Sequence, residues 1–251
     1  MANVDTPDDQ TVAVNYGDME TDDWASKHQI TLSELASRLN AKQHFDNRGR
    51  QIWTDGFEEL VLQWIPTVLG ASTTTRDTTT AWRGAACNRH THAAMIASQV
   101  TMTKHFYTPQ TGRYGYEISF AVDALTFNDI RFSMRYYDGV IYYTNYIRIM
   151  GTTGEVFYQN VGGVWVSTGF FVTLSNDIRM WHKVKFVMDI DLQEYVRVMI
   201  DGNELNLVGV PCWQAGSITT PRIICDYRSQ AANNIIQNFY FDDFILTHLE
   251  P

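Results

Sequence analysis

Between Trp181 and Leu207 the sequence WHKVKFVMDIDLQEYVRVMIDGNELNL alternates apolar and polar positions with a period of two. Val184, Phe186, Met188 and Ile190 fall on one side, and Lys183, Lys185, Val187 and Asp189 on the other. Successive side chains of a strand point to opposite faces, so this period predicts a strand with one buried face. Val196, Val198 and Ile200 repeat the alternation against Arg197 and Met199, and Leu205 and Leu207 return after Asp201-Gly202. That dipeptide suits the positive φ angles of a two-residue hairpin turn. The same grammar continues through most of the chain after residue 45. Gln51–Thr54 reads as a short strand between turns at Asn47-Arg48-Gly49 and Asp55-Gly56, followed by an apolar segment, Phe57–Trp64. Ala93–Thr103 and Tyr114–Val122 read as strands; Ile130–Tyr137 and Val140–Met150 flank Asp138-Gly139, and Glu155–Tyr158 and Val164–Leu174 bracket Gly162-Gly163. Asn238–His248 is a closing strand with Phe239, Phe241 and Phe244 inward, whereas the Thr-rich residues 71–80 lack apolar alternation and predict an exposed loop or edge. Roughly a dozen short strands with frequent turns and no β-α-β alternation predict an all-β, antiparallel sandwich.

The first 44 residues follow a different pattern. Asp5, Asp8, Asp9, Asp18, Glu20, Asp22 and Asp23 precede Ser26 without one Lys or Arg. Subtracting these seven from the net charge of −9 leaves −2 for the rest, so the acidity belongs to an arm and the body is near neutral. Neither part has the basic face that nucleic-acid binding requires. Ile30-Thr31-Leu32-Ser33-Glu34-Leu35 then carries a helix start: Thr31 caps, Glu34 completes the capping box, and Ile30 and Leu35 form a staple. Leu32, Leu35, Ala36 and Leu39 share one face, and Asn40 is a stop, which predicts a short helix over residues 31–40. So short a helix is marginal alone. Its apolar face must pack on its own sandwich, on a neighbouring subunit or on a scaffold, which makes Trp24, Ile30, Leu32, Leu35 and Leu39 partner-binding candidates. The chain thus divides into an arm with a helix (residues 1–44) and a sandwich (residues 45–251).

Composition changes this picture little. The 251 residues include 13 Phe, 13 Tyr and 7 Trp, a content that favours strands. No apolar run approaches the roughly 20 residues of a membrane span, and MANVDTPDDQ has neither the basic start nor the apolar stretch of a secretory signal. The expectation is synthesis in the cytoplasm and no membrane partner. Cys87, Cys212 and Cys225 show no CxxC spacing. They read as free, mostly buried thiols, with a Cys212–Cys225 bridge as the alternative.

Three stretches carry a resemblance. Trp181 opening a strand, followed by VKFVMDI and by a second strand ending in Ile200-Asp201-Gly202-Asn203, resembles the concanavalin A-like, laminin-G-like jelly rolls. So do the closing FYFDDFIL with Asp242-Asp243 and the turn, short strand and DGFEE of residues 46–59. The resemblance covers about residues 45–249 and implies a jelly-roll β-sandwich. It implies no single activity, since this fold serves lectins, glycan-binding modules, glycosidases, adhesins and structural proteins of virus particles, and similar chains occur among phage and virion-associated proteins.

Enzymes of this fold carry carboxylates of the ExDxE type on one strand, within reach of a glycosidic bond. Asp189-x-Asp191 comes closest but ends beside a turn without a third carboxylate, and the neighbours Asp242-Asp243 and Glu58-Glu59 are expected on opposite faces. Calcium is conceivable at Asn128-Asp129, at Asn176-Asp177, or at Asp201 with Asn203, though each is more simply a turn. His90-Thr91-His92 puts two imidazoles on one strand face with no third ligand nearby. The remaining hint is aromatic. Tyr136, Tyr137, Tyr142, Tyr143 and Tyr146 cluster around one hairpin with Arg135 and Arg148 nearby, and Trp82 lies elsewhere in the chain. Rings beside Arg and Asn suit a sugar face or a subunit interface, and core packing is an equal alternative. The expected function is a non-enzymatic structural or assembly protein, such as a decoration or fibre-like component of a phage or similar particle. It would be anchored by its arm to a protein scaffold or to capsid or tail subunits, would form a homo-oligomer, and would be displayed on a virion surface. A carbohydrate-binding module or lectin is the alternative, and a glycan-active enzyme a third reading.

Overall fold

The computed structural model describes residues 46, 48–93, 98–107, 110–232 and 235–251, which form sixteen strands in two antiparallel sheets. The acidic arm, the helix expected over residues 31–40, and Trp24, Ile30, Leu32, Leu35 and Leu39 lie outside the described residues. Sheet A runs in spatial order β13 (Asn203–Pro211), β12 (Glu194–Ile200), β11 (His182–Asp189), β6 (Arg113–Val122), β16 (Gln237–His248), β4 (Cys87–His92) and β3 (Ser72–Asp77). A further strand, β1 (Arg50–Asp55), pairs with β16. Sheet B runs β10 (Trp165–Phe171), β9 (Glu155–Gln159), β8 (Ile141–Met150), β7 (Phe127–Tyr137), β15 (Arg222–Ala231), β5 (Gln99–Tyr107) and β2 (Ile65–Leu69). Along β8, residues 147–149 pair with β9, while residues 141–144 pair with β14 (Trp213–Gly216).

The turns form for the reasons the sequence suggests. Asp201 and Gly202 take φ of +50° and +82°, the left-handed pair that matches strand twist in a two-residue hairpin. At the β7–β8 turn the Asp138 carboxylate accepts from the Val140 and Ile141 amides at 2.8 and 2.7 Å, and Gly139 takes a φ of +104°.

Alternation sends one face of each sheet inward. Tyr116, Ile118 and Phe120 of β6 and Phe186 of β11 meet Ile130, Phe132 and Met134 of β7 and Tyr227 of β15 in one apolar core. The inward face of β4 is polar instead, and its partners lie across the sandwich. Asn88 accepts from the Tyr227 hydroxyl at 3.0 Å, and His90 and His92 both meet the Ser229 hydroxyl, at 2.8 and 2.7 Å. Burial lowers the pKa of both imidazoles, that of His92 to about 4, so both are neutral.

Some expected boundaries move. The strand anticipated over Ala93–Thr103 instead runs Gln99–Tyr107, with Ala93 outside it. The Thr-rich stretch is an edge strand, β3, paired only with β4. The apolar segment Phe57–Trp64 buries Phe57 and Trp64 while Leu60 and Val61 face outward. All three cysteines are buried as free thiols, and Cys212 Sγ sits 2.7 Å from Asn145 Oδ1.

Candidate functional site

The outward face of sheet B holds a cavity of about 280 Å³ whose charged groups come from β7 and β15. Strand register decides its chemistry. Arg228 of β15 lies directly opposite Arg131 of β7, which lies directly opposite Arg148 of β8. A row of like charges across three strands is unfavourable by itself. Asp129, two residues back along β7, resolves it. Its Oδ1 accepts from Arg131 Nε at 3.1 Å and from Arg228 Nη2 at 3.0 Å, while Oδ2 meets Arg131 Nη2 at 2.8 Å and Arg148 Nε at 2.9 Å. Burial pushes the Asp129 pKa up, but the Arg131 hydrogen bond and the charges of Arg131, Arg228 and Arg148 outweigh it and hold the carboxyl below its ordinary value.

A second carboxylate, Asp226 of β15, accepts from Thr103 Oγ1 at 2.6 Å, Ser133 Oγ at 3.0 Å and Arg135 Nη2 at 3.0 Å. Arg135 Nη1 also donates to the Tyr137 hydroxyl at 3.1 Å. Aromatic rings complete the wall. Trp165 lies 5.0 Å from the Arg131 guanidinium and 5.4 Å from that of Arg148, in cation–π geometry. Tyr146 stands between Trp165, at 6.1 Å, and Trp213, at 6.3 Å, and Trp213 meets Tyr142 edge-on at 5.2 Å.

The arrangement suits binding better than glycosidic hydrolysis. Asp226 pairs with Ser133, four residues from Asp129, so the two backbone positions are offset by roughly 13 Å along the strands at about 3.3 Å per residue. Hydrolysis by a carboxyl pair needs about 5 to 9.5 Å. Both are also committed to the arginines and hydroxyls around them.

The candidates named from sequence fall in three places. Tyr142 and Tyr146 lie on this face. Tyr136 points to the other side of β7 and stacks on Tyr143 against the core. Trp82 lies across the molecule, on the outer side of sheet A, 6.1 Å from Trp181 at a second cavity of about 410 Å³. Asp242 accepts from the Trp82 and Arg83 amides at 2.9 and 3.1 Å, and Asp243 reaches Arg83 Nε at 3.4 Å. The two aspartates were expected on opposite faces. Instead a bulge after Asp242, with Asp243 at a φ of +49°, turns both toward one loop. Glu58 likewise accepts from the Ala85 and Ala86 amides.

The candidate metal residues have other partners. Asp129 is surrounded by arginines, Asp177 holds Arg179, and Asp201 accepts from His182 Nδ1 and the Lys183 amide. His90 and His92 turn into the core. No group of three or more His, Cys, Asp or Glu suited to a metal ion occurs among the described residues. Trp165, Trp213, Arg131, Arg228 and Asp226 were not singled out from sequence. The signal was present in Arg222–Arg228, where Ile223, Cys225 and Tyr227 alternate with Asp226 and Arg228.

Away from the Trp82 cavity, the outer face of sheet A carries a cluster of charge pairs. Lys185 Nζ lies 3.0 Å from Asp46 and 2.8 Å from Glu250, Lys183 Nζ lies 2.6 Å from Glu117, and Arg197 bonds Glu250. Asp46 is therefore fixed on the side of the sandwich opposite the sheet B cavity.

Comparison with solved structures places the architecture. The sandwich is similar to an endo-β-1,4-glucuronan lyase from the fungus Trichoderma reesei at a TM-score of 0.55 and 11% identity, over 79% of this chain and 95% of that one. It is also similar to a cellulose-induced protein, Cip1, at 0.54 and 14%, over 78% and 97%. The fold is a concanavalin A-like jelly roll. No protein-family model and no curated protein sequence matches the chain.

Proposed function

We propose that the protein is a non-catalytic carbohydrate-binding jelly roll that holds a glycan against the outer face of sheet B. The observation that carries this reading is the set of Tyr146, Trp165 and Trp213 rings lining one cavity beside fixed hydrogen-bonding groups. Rings accept the CH faces of sugars, and preorganised polar groups orient hydroxyls with little ordering cost. The sharing of this fold with a polysaccharide lyase is in keeping with that use. Saturable binding to a glycan panel, weakened about tenfold by Trp213→Ala, is the expected result. No binding across the panel would reject the reading, and release of shortened chains would reject its non-catalytic part.

A second, compatible reading is assembly through the arm, on a scaffold or a virion. It is favoured by the position of Asp46, whose carboxylate meets Lys185 at 3.0 Å on the face away from the cavity, so an anchored arm would leave that cavity outward. Light scattering on the full-length chain and on a chain beginning at Phe45 tests it. A defined oligomer that becomes a monomer on truncation supports an anchoring arm; a monomer in both cases, with no affinity for particle components, rejects it.

A further inference from the structure

We infer that the ligand of the sheet B cavity is an acidic glycan bearing carboxylates, a polyuronate; this rests on the reading of that cavity as a carbohydrate site. Among the lining side chains, Arg131, Arg135 and Arg228 face a single acid, Asp226. Adding the neighbouring ion pair of Arg148 with Asp129 leaves the excess unchanged at two positive charges. This excess belongs to a chain whose formal charge is −9, so it is local and not a reflection of composition.

The guanidiniums are also held ready. Arg131, Arg135, Arg148 and Arg228 keep only 18–25% of their side chains exposed, and each is fixed by a carboxylate. Their desolvation and ordering costs are thus met before any ligand arrives. Nor do Asp226 and Asp129 satisfy them fully: the buried Nε of Arg135 and of Arg228 have no acceptor among the described residues. A planar carboxylate is the anion whose shape is already accommodated here. Asp129 takes Arg131 through Nε and Nη2 onto its two oxygens, the fork geometry that distinguishes Arg from a point charge. The adjoining Trp165, Tyr146 and Trp213 rings supply sugar-stacking faces that an inorganic anion would not use.

The test compares polygalacturonate, a neutral β-glucan and dextran sulfate by titration calorimetry with the full chain, at low and high salt. The expected result is tightest binding to the polyuronate, weakening as salt is raised. Arg131→Gln is expected to lower that affinity about tenfold or more, as the loss of a charge-assisted hydrogen bond would. Arg179→Gln removes an exposed ion pair on the opposite side and is expected to change nothing. Equal or tighter binding to the neutral glucan overturns this inference and leaves the carbohydrate reading standing; equal binding to dextran sulfate overturns the choice of carboxylate. Absence of binding to all three removes both. Unchanged affinity in Arg131→Gln also overturns it. If that variant fails to fold, the parent protein's preference among the three polymers still decides.

Discussion

On the outer face of sheet A, Lys185 keeps 2% of its side chain exposed and is enclosed by Asp46 and Glu250. On the outer face of sheet B, Arg131 keeps 24% exposed and looks into a cavity of about 280 Å³. Both faces use the same materials, cations on central strands and carboxylates a short reach away. They differ in balance and in cover. On sheet A, Lys183, Lys185 and Arg197 meet Asp46, Glu117 and Glu250, cation for anion, and the chain near Asp46 and Glu250 is laid over Lys185 and Arg197; the space left beside Lys185 is about 10 Å³, and the larger sheet A cavity lies beyond Lys183, toward Trp82. On sheet B, arginines outnumber acids and no segment of the described residues covers them. Charges on a sheet face become a structural clamp when they are neutralised and covered. Left in excess and open, they make a surface with affinity to spare.

The largest expected effect comes from breaking the closed face. Lys185→Met leaves Asp46 and Glu250 buried without their ammonium, and breaking a buried ion pair by removing one partner costs about 3–5 kcal/mol. Urea unfolding of this variant reads the loss directly. A change near zero would make the sheet A cluster as dispensable as a surface ion pair.

The interior between the faces gives the next effect. His90 and His92 have folded pKa values below the unfolded value of 6.5, so only the unfolded chain takes up their protons as the pH falls from 6.5 toward 4. Their contribution to stability is therefore complete above pH 6.5 and is lost on acidification, by at most about 1.4 kcal/mol per pH unit for each imidazole. Asp242, pushed up to about 7 by burial, works in the opposite sense. The informative quantity is thus the difference between His92→Gln and the parent, and the variant should lose less stability over that range. Parallel pH profiles would refute the neutral, buried assignment.

On the open face, Trp213→Ala should weaken glycan binding about tenfold, the scale of one aromatic contact and its polar neighbours, while shifting the thermal midpoint little. A large stability loss without a binding change would make Trp213 a packing residue. The smallest effect is expected at Trp82→Ala, on the other side of the sandwich, where glycan affinity should stay within about twofold. A greater loss there would move the binding site to the Trp82–Trp181 cavity.

Much of the sheet order can be anticipated in outline because period-two alternation and turn chemistry are local. The strands from Arg113 to Ile200 lie close to where Ile118, Phe132, Ile147, Val184 and Val198 place them. The Cys87–His92 strand is harder to read: its inward Asn88, His90 and His92 are polar, and their partners across the sandwich lie on β15, about 140 residues later. The tyrosine cluster around one hairpin was recognisable, but not that Tyr142 and Tyr146 face outward while Tyr136 turns to the core. The arginine row was not, since Arg228 reaches Arg131 only through the pairing of β15 with β7.

By itself, then, the sequence determined the all-β class, most strands, the hairpin turns and the acidity of the arm. Each depends on neighbours a few residues apart. The tertiary structure alone decided that three arginines from β7, β8 and β15 share Asp129, that Trp82 and Tyr146 stand on opposite sides, and that among the described residues one charge cluster is covered while the other is left open. Those outcomes follow from strand register and sheet packing between distant segments, which no local pattern encodes.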